Sequence, residues 1–206
     1  MPRVADPDLA DKIVRVTAEM LEQHGIDGVT MRGVAAAVGC SATTIYQRFE
    51  SKDALLDHAV VRGLEWFVQV QEEADATAGP GGRARVSAMA HGYVAWGLRN
   101  PAMYRLMFEQ RLPTPAAGAE LQRRRRGWEL QRDLLADVLA ARPAGAIEVD
   151  PAQAADVIFV ALRGIVSLAI SGRLLGPMAT AEQWLARGNA LVDALVAQWV
   201  GAWGIE

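Results

Sequence analysis

HGIDGVTMRGVAAAVGCSATTIYQRFESKDALL, residues 24–56, decides how the rest of the chain is read. Thr30 stands just before an apolar stripe at helical spacing, Met31, Val34, Ala35 and Val38, where its hydroxyl is expected to cap the helix. Gly39 follows the last stripe residue, and glycine is the residue that ends a helix in the left-handed region at least steric cost. Ser41 then caps a third helix, ATTIYQRF (42–49). Ser51 caps a fourth, long helix with Leu56, Val60, Gly63, Leu64 and Phe67 on its inner face.

Upstream, Leu9, Ile13, Val16, Met20 and Leu21 give a first amphipathic helix that ends before HGIDG. Downstream, TAGPGG (77–82) is the clearest linker. A helix then runs to Asn100, where Pro101 forces a break and opens the next, which LPTP (112–115) ends. A long helix over 116–141 and the loop RPAGAIEVDP (142–151) follow. The last two helices span 151–175 and 181–203, parted by GPMAT (176–180). No run of alternating β-branched residues argues for a strand, so the fold class is all-α, with about nine helices.

Bulk composition narrows the function. The 206 residues are 51% hydrophobic, enough for a large core. Cys40 is alone, which leaves no disulfide frame, and His24, His58 and His91 are scattered. No catalytic triad order, metal-ligand cluster or phosphate-cradling glycine loop stands out, so neither an enzyme nor a bound metal or cofactor is expected. The N-terminus lacks the apolar core of a signal peptide, and VIFVALRGIVSLAISGRLL (157–175) is interrupted by Arg163, so it reads as a buried helix and not a membrane span. A cytoplasmic chain is expected. Residues 1–60 hold six Lys/Arg against nine Asp/Glu, unusually acidic for a segment that meets nucleic acid.

The third helix nevertheless has the chemistry of a base reader. At about 100° per residue, Thr43, Thr44 and Gln47 share one face, while Ile45 and Phe49 form the opposite, core-facing stripe. Eight residues span about 12 Å, comparable to a DNA major groove. A short polar-faced helix behind a helix and a glycine turn is a helix-turn-helix. Gln47 can pair with an adenine edge, and a threonine methyl can pack on a thymine methyl. Ser41 and Tyr46 hydroxyls and the Arg48 guanidinium suit phosphates, and Arg32 suits a guanine edge or a phosphate. Lys52 sits in the first turn of the fourth helix, where the dipole disfavours a cation unless a phosphate docks there.

This segment resembles the N-terminal domain of the tetracycline-repressor (TetR) family of bacterial transcription regulators. Gly25, Thr30, Ala35, Gly39, Ser41, Tyr46, Phe49, Lys52 and Leu55 carry the match, which covers residues 9–58. The resemblance implies phosphate contacts from Thr30, Ser41, Tyr46 and Lys52 and base reading from Arg32, Thr43, Thr44 and Gln47. It implies a helix-turn-helix DNA-binding domain at residues 1–54 and a ligand-binding and dimerisation domain at 55–206. Double-stranded DNA with a palindromic operator, a small apolar or amphipathic effector and a second copy of the chain are the partners implied.

HGYVAWGLRNPAMYRLMF (91–108) is similar to a C-terminal subtype of that family with a W-x-x-x-H-G signature on its eighth helix. Phe159 and Arg163 replace the aromatic and the histidine, and Gly164 is kept. Tyr93, Trp96, Met103, Met107 and Trp128 fall in helices where relatives hold an inducer, with Phe159 and Arg163 as further lining. The same stripe also reads as ordinary core, and Arg163 suits an inducer carboxylate, a neighbouring aspartate or a dimer surface. On the last helix the apolar residues cover about 180°, more than one core face needs, so a second copy is expected against Leu191, Leu195 and Trp199 and against Val166 and Leu168 of the preceding helix. Arg123–Arg126 fan around a helix and read as a solvated face, not a nucleic-acid patch.

Overall fold

The computed structural model describes residues 7–109, 119–142, 147–174 and 180–205, and side chains within these except those of residues 7, 8 and 119–125. The expected stop at LPTP and the side chains of Arg123–Arg125 lie outside that set. Nine helices are found among the described residues: α1 (Pro7–Gly28), α2 (Met31–Val38), α3 (Ala42–Tyr46), α4 (Lys52–Ala76), α5 (Gly82–Arg99), α6 (Pro101–Phe108), α7 (Ala119–Ala140), α8 (Pro151–Ile170) and α9 (Ala181–Trp203). The expected all-α class stands.

The chain divides into two compact units, residues 1–66 with 102–123, and residues 67–101 with 124–206. In the first, α1 is interrupted at Gly25, whose φ of 69° and ψ of −179° are non-helical, so its last residues form a separate turn. Its buried face is Ile13, Val14, Thr17, Ala18 and Leu21. The sequence stripe had placed Leu9, Val16 and Met20 there; these are only half-buried, and Thr17 is accommodated by donating its hydroxyl to the Ile13 carbonyl at 2.7 Å. On α2 all four stripe residues are buried as expected. Cys40 is half-exposed.

On α4, Leu56, Val60, Gly63 and Leu64 face inward as expected. Gly63 permits a close approach: a Cβ there would lie 2.6 Å from the Met103 sulfur and 2.8 Å from that of Met107, so both methionine side chains would have to move aside. Ion pairs fasten α1 on two sides. Arg62 of α4 donates to both Asp11 oxygens at 2.8 and 3.0 Å and to Glu65, and Arg105 of α6 pairs with Glu22. The Arg62 hydrogen bonds, and then its charge, hold the Asp11 carboxyl below the usual carboxylate range.

In the second unit α5 packs on α8 and α9. Asp150 caps α8 through Ala152 and Gln153, with Pro151 at the first helical position, and Thr180 with Gln183 forms a capping box on α9. The apolar helix α8 alone, among the described residues, is long and apolar enough to cross a membrane by length and composition. Ile158, Leu162, Ile165 and Val166 on its inner side are buried. Its other side carries Val157, Val160 and Leu168, which are 45%, 68% and 44% exposed. Arg126 pairs with Glu72 at 3.1 Å, so this member of the arginine run reaches α4.

Candidate nucleic-acid interface

The α2–α3 wedge follows from its caps. Thr30 is extended (φ −130°, ψ 148°) and its hydroxyl accepts the Gly33 N–H at 3.0 Å. Gly39 is left-handed (φ 82°, ψ 33°), and the Cys40 N–H returns to the Ala35 carbonyl at 2.9 Å, closing the end of α2. Two residues later the Ser41 hydroxyl accepts the Thr44 N–H at 3.1 Å and starts α3. Ile45 and Phe49 anchor the wedge, 0% and 7% exposed.

The reading helix is shorter than its sequence promises. α3 has five residues, because the N–H groups of both Arg48 and Phe49 bond to the single Ile45 carbonyl, at 3.0 and 2.9 Å, which tightens the last turn and ends the ladder. Its length falls to about 7.5 Å. The intended face survives, since Gln47 keeps a helical backbone (φ −69°, ψ −20°). Thr43 and Gln47 are exposed, Thr44 and Arg48 half-exposed, and Arg32 and Thr30 are exposed on α2 and its cap. Tyr46 is 54% exposed although aromatic.

Lys52 differs from its expected role in one respect. Its ammonium donates to the Ile26 carbonyl, so the α1–α2 turn already offsets the unfavourable position at the start of α4. Two ammonium protons remain for another acceptor. Lys12 does similar work, donating to the Val38 carbonyl at 2.8 Å on the negative end of α2. Sequence reasoning missed both bonds, since each joins residues 26 positions apart.

A glycine-turned wedge with a capped, core-anchored second helix and an outward row of small polar and cationic groups defines a helix-turn-helix DNA-binding regulator of transcription. Residues 13–59 match the family profile described as bacterial regulatory proteins, tetR family, and residues 86–198 match that of the tetracyclin repressor-like C-terminal domain. The second match covers more than half of the chain, which belongs to the TetR family of transcriptional regulators. The chain is similar to the HTH-type transcriptional regulator Rv1816 of Mycobacterium tuberculosis, 27% identical over 54% of this chain and 48% of that protein. It is similar also to the HTH-type transcriptional repressor DrrR1 of Streptomyces coeruleorubidus, 31% identical over 52% of this chain and 38% of that one. The chain thus spans about half the length, or less, of these curated relatives. Among solved structures, FadR from Bacillus subtilis, in complex with stearoyl-CoA, aligns with a TM-score of 0.71 over 91% of this chain and 97% of that chain at 14% identity, a likeness of fold.

The residues expected to line an inducer pocket fall in both units. Tyr93, Trp96 and Phe159 belong to the second, where Phe67 joins them: the Phe67 ring meets Tyr93 edge-on at 4.9 Å and Trp96 at 5.2 Å, and Tyr93 meets Phe159 at 6.3 Å. Arg163 lies over the Phe159 ring at 6.0 Å. Trp128 stands apart in character, since its indole N–H donates to Asp156 at 3.0 Å and Arg132 covers its ring. Met103 and Met107 belong to the first unit, packed at Gly63. Two buried glutamines were not foreseen: Gln71, bracketing the α5 backbone at Met89 and Tyr93, and Gln131, whose carbonyl oxygen has no hydrogen-bond partner among the described residues. Both sit in polar stretches of sequence, where nothing marks them as internal.

Of the residues expected at a dimer surface, Val166 and Trp199 are 0% and 8% exposed and belong to the chain's own core, on the same helix faces as the buried Leu162 and Ala169 of α8 and Val192 and Val196 of α9. Leu191 and Leu195 are half-exposed, and Leu168 is exposed.

Proposed function

We propose that the chain acts as a homodimeric repressor that binds a palindromic operator and is released by a small apolar or amphipathic ligand. The observation that carries the proposal is the wedge itself: Thr43, Thr44, Gln47 and Arg32 lie outward behind a buried Ile45–Phe49 anchor, flanked by Thr30, Ser41, Tyr46, Arg48 and Lys52. In this proposal the first group reads base edges and the flanking hydroxyls and cations hold phosphates. Residues 1–54 serve DNA and residues 55–206 serve ligand and dimer.

One short helix reads only a few base pairs, so a two-fold pair reading half-sites about 34–36 Å apart, or a multiple, gives useful specificity. The outward side of α8, with Val157, Val160 and Leu168, together with the half-exposed Leu191 and Leu195 of α9, supports a second copy as the cover. The Phe67–Tyr93–Trp96–Phe159 cluster supports an apolar ligand, as does the FadR relative bound to stearoyl-CoA. The ligand lowers operator affinity by its differential affinity for the two subunit shapes.

A ligand-free DNA-binding dimer is the second reading, favoured by the complete burial of Tyr93 in that aromatic cluster. Activation in place of repression would follow from operator position. A fluorescent operator duplex bound to the protein and challenged with long-chain acids, acyl thioesters and aromatic amphiphiles separates the readings. Release by one class supports the ligand-controlled repressor; retention against all of them favours a dimer whose DNA binding no small molecule controls.

A further inference from the structure

Two hydroxyls in the reading head are tied together in a way that assigns one of them its role. The Ser41 Oγ accepts the Thr44 N–H at 3.1 Å and lies 2.8 Å from the Thr44 Oγ1. Each hydroxyl owns one proton, and only one proton can lie between the two oxygens. A phosphate oxygen accepts and never donates. If Ser41 faces a phosphate, its proton points outward, and the proton between the two oxygens belongs to Thr44. Thr44 then has no donor left for a base.

We propose that Thr44 reads DNA through its methyl group, recognising the C5 methyl of a thymine, while its hydroxyl serves as an internal donor that orients Ser41 toward phosphate. The inference rests on the proposal that this face meets operator DNA, and it divides two neighbours that look identical in sequence. Thr43, exposed, has no such link to the cap, whereas Thr44, half-exposed, is bound into it. A threonine at position 44 thereby satisfies two demands at once. Serine would keep the cap link without the methyl, and valine would keep the methyl without the link.

The test uses the duplex recovered from selection on random DNA, with each thymine replaced in turn by uracil, which removes only the C5 methyl. For the wild-type protein one uracil position in each half-site is expected to weaken binding about fourfold, the worth of one buried methyl group. Thr44→Ser is expected to bind thymine and uracil equally at that position, while Thr44→Val and Thr43→Ser keep the difference. A Thr44→Ser protein that still discriminates, or a Thr44→Val protein that does not, would show that the methyl of residue 44 is not the reader and overturn the assignment. So would a wild-type protein indifferent to every uracil. Failure to bind any duplex would remove the regulator proposal itself, and this assignment with it. Because the decisive change is made in the DNA, a folding defect in one variant does not decide the outcome.

Discussion

At the scale of the residue, the wedge depends on a few side chains that serve the backbone. Gly39 holds a φ of 82°, which a Cβ opposes, although nothing lies within 4 Å of where that Cβ would go. Gly39→Ala is therefore expected to cost about 1 kcal/mol through backbone strain alone, read as a lower denaturant midpoint with an unchanged slope. Thr30→Ala removes the acceptor for the Gly33 N–H and is expected to cost about 1 kcal/mol as well. These caps were legible in the sequence because capping is local, a matter of three or four residues. The bond from Lys52 to Ile26 was not, for no sequence pattern marks a contact 26 residues distant. It gives Lys52→Ala two separable effects. The loss of a phosphate contact should weaken binding to all duplexes alike and lower the slope of log affinity against log salt by about one. The loss of the carbonyl contact should appear in thermal melting without any DNA. An altered base preference with unchanged overall affinity would contradict the phosphate role.

At the scale of the element, the apolar stripes of α2 and α4 were readable, and that of α1 was half wrong. Thr17 is the reason: a hydroxyl satisfied by its own helix can be buried, so polarity alone misplaced the face. α3 came out short because the Arg48 N–H turns to the Ile45 carbonyl, which the Phe49 N–H also uses, in place of the Thr44 carbonyl that would continue the helix. Ion pairs between helices could not be read at all. Asp11 with Arg62 joins α1 to α4, and Asp75 with Arg85 joins α4 to α5 at 2.7 Å. Both carboxyls are held below their ordinary range, first by the arginine hydrogen bonds. The unfolded chain accordingly takes up protons at higher pH than the folded one. The stabilisation is complete above the unfolded aspartate value of about 3.9 and is lost as pH falls below it. With these pairs partly solvated, each is worth about 0.5–1 kcal/mol after screening. Melting temperature should drop as pH falls from about 5 to 3, and Asp11→Asn should start lower and fall less steeply. A variant with the wild-type acid profile would show that the pair contributes nothing measurable.

At the scale of the whole molecule, the sequence carried the class through one contiguous segment, 24–56, where nearly every informative residue is a cap, a turn or an anchor. The surface expected for the second copy was harder to read, since helical periodicity identifies how wide an apolar face is but not which edge the chain itself covers. Val166 and Trp199 went to the core, leaving Val157, Val160 and Leu168 outside. Val160→Glu combined with Leu168→Glu should leave the fold intact, as neither position is buried, and convert a dimer to a monomer in sedimentation. Operator affinity should fall with it, because each half-site is then bound singly; an unchanged sedimentation coefficient would move the interface elsewhere.

The most direct measurement is selection of the purified protein against random duplex DNA at moderate ionic strength. The expected winner is a sequence with two inverted half-sites whose enrichment weakens or shifts in Gln47→Ala and Thr43→Ala. Recovery of unenriched DNA, or of a winner that those two substitutions leave untouched, would contradict base reading by the face of α3.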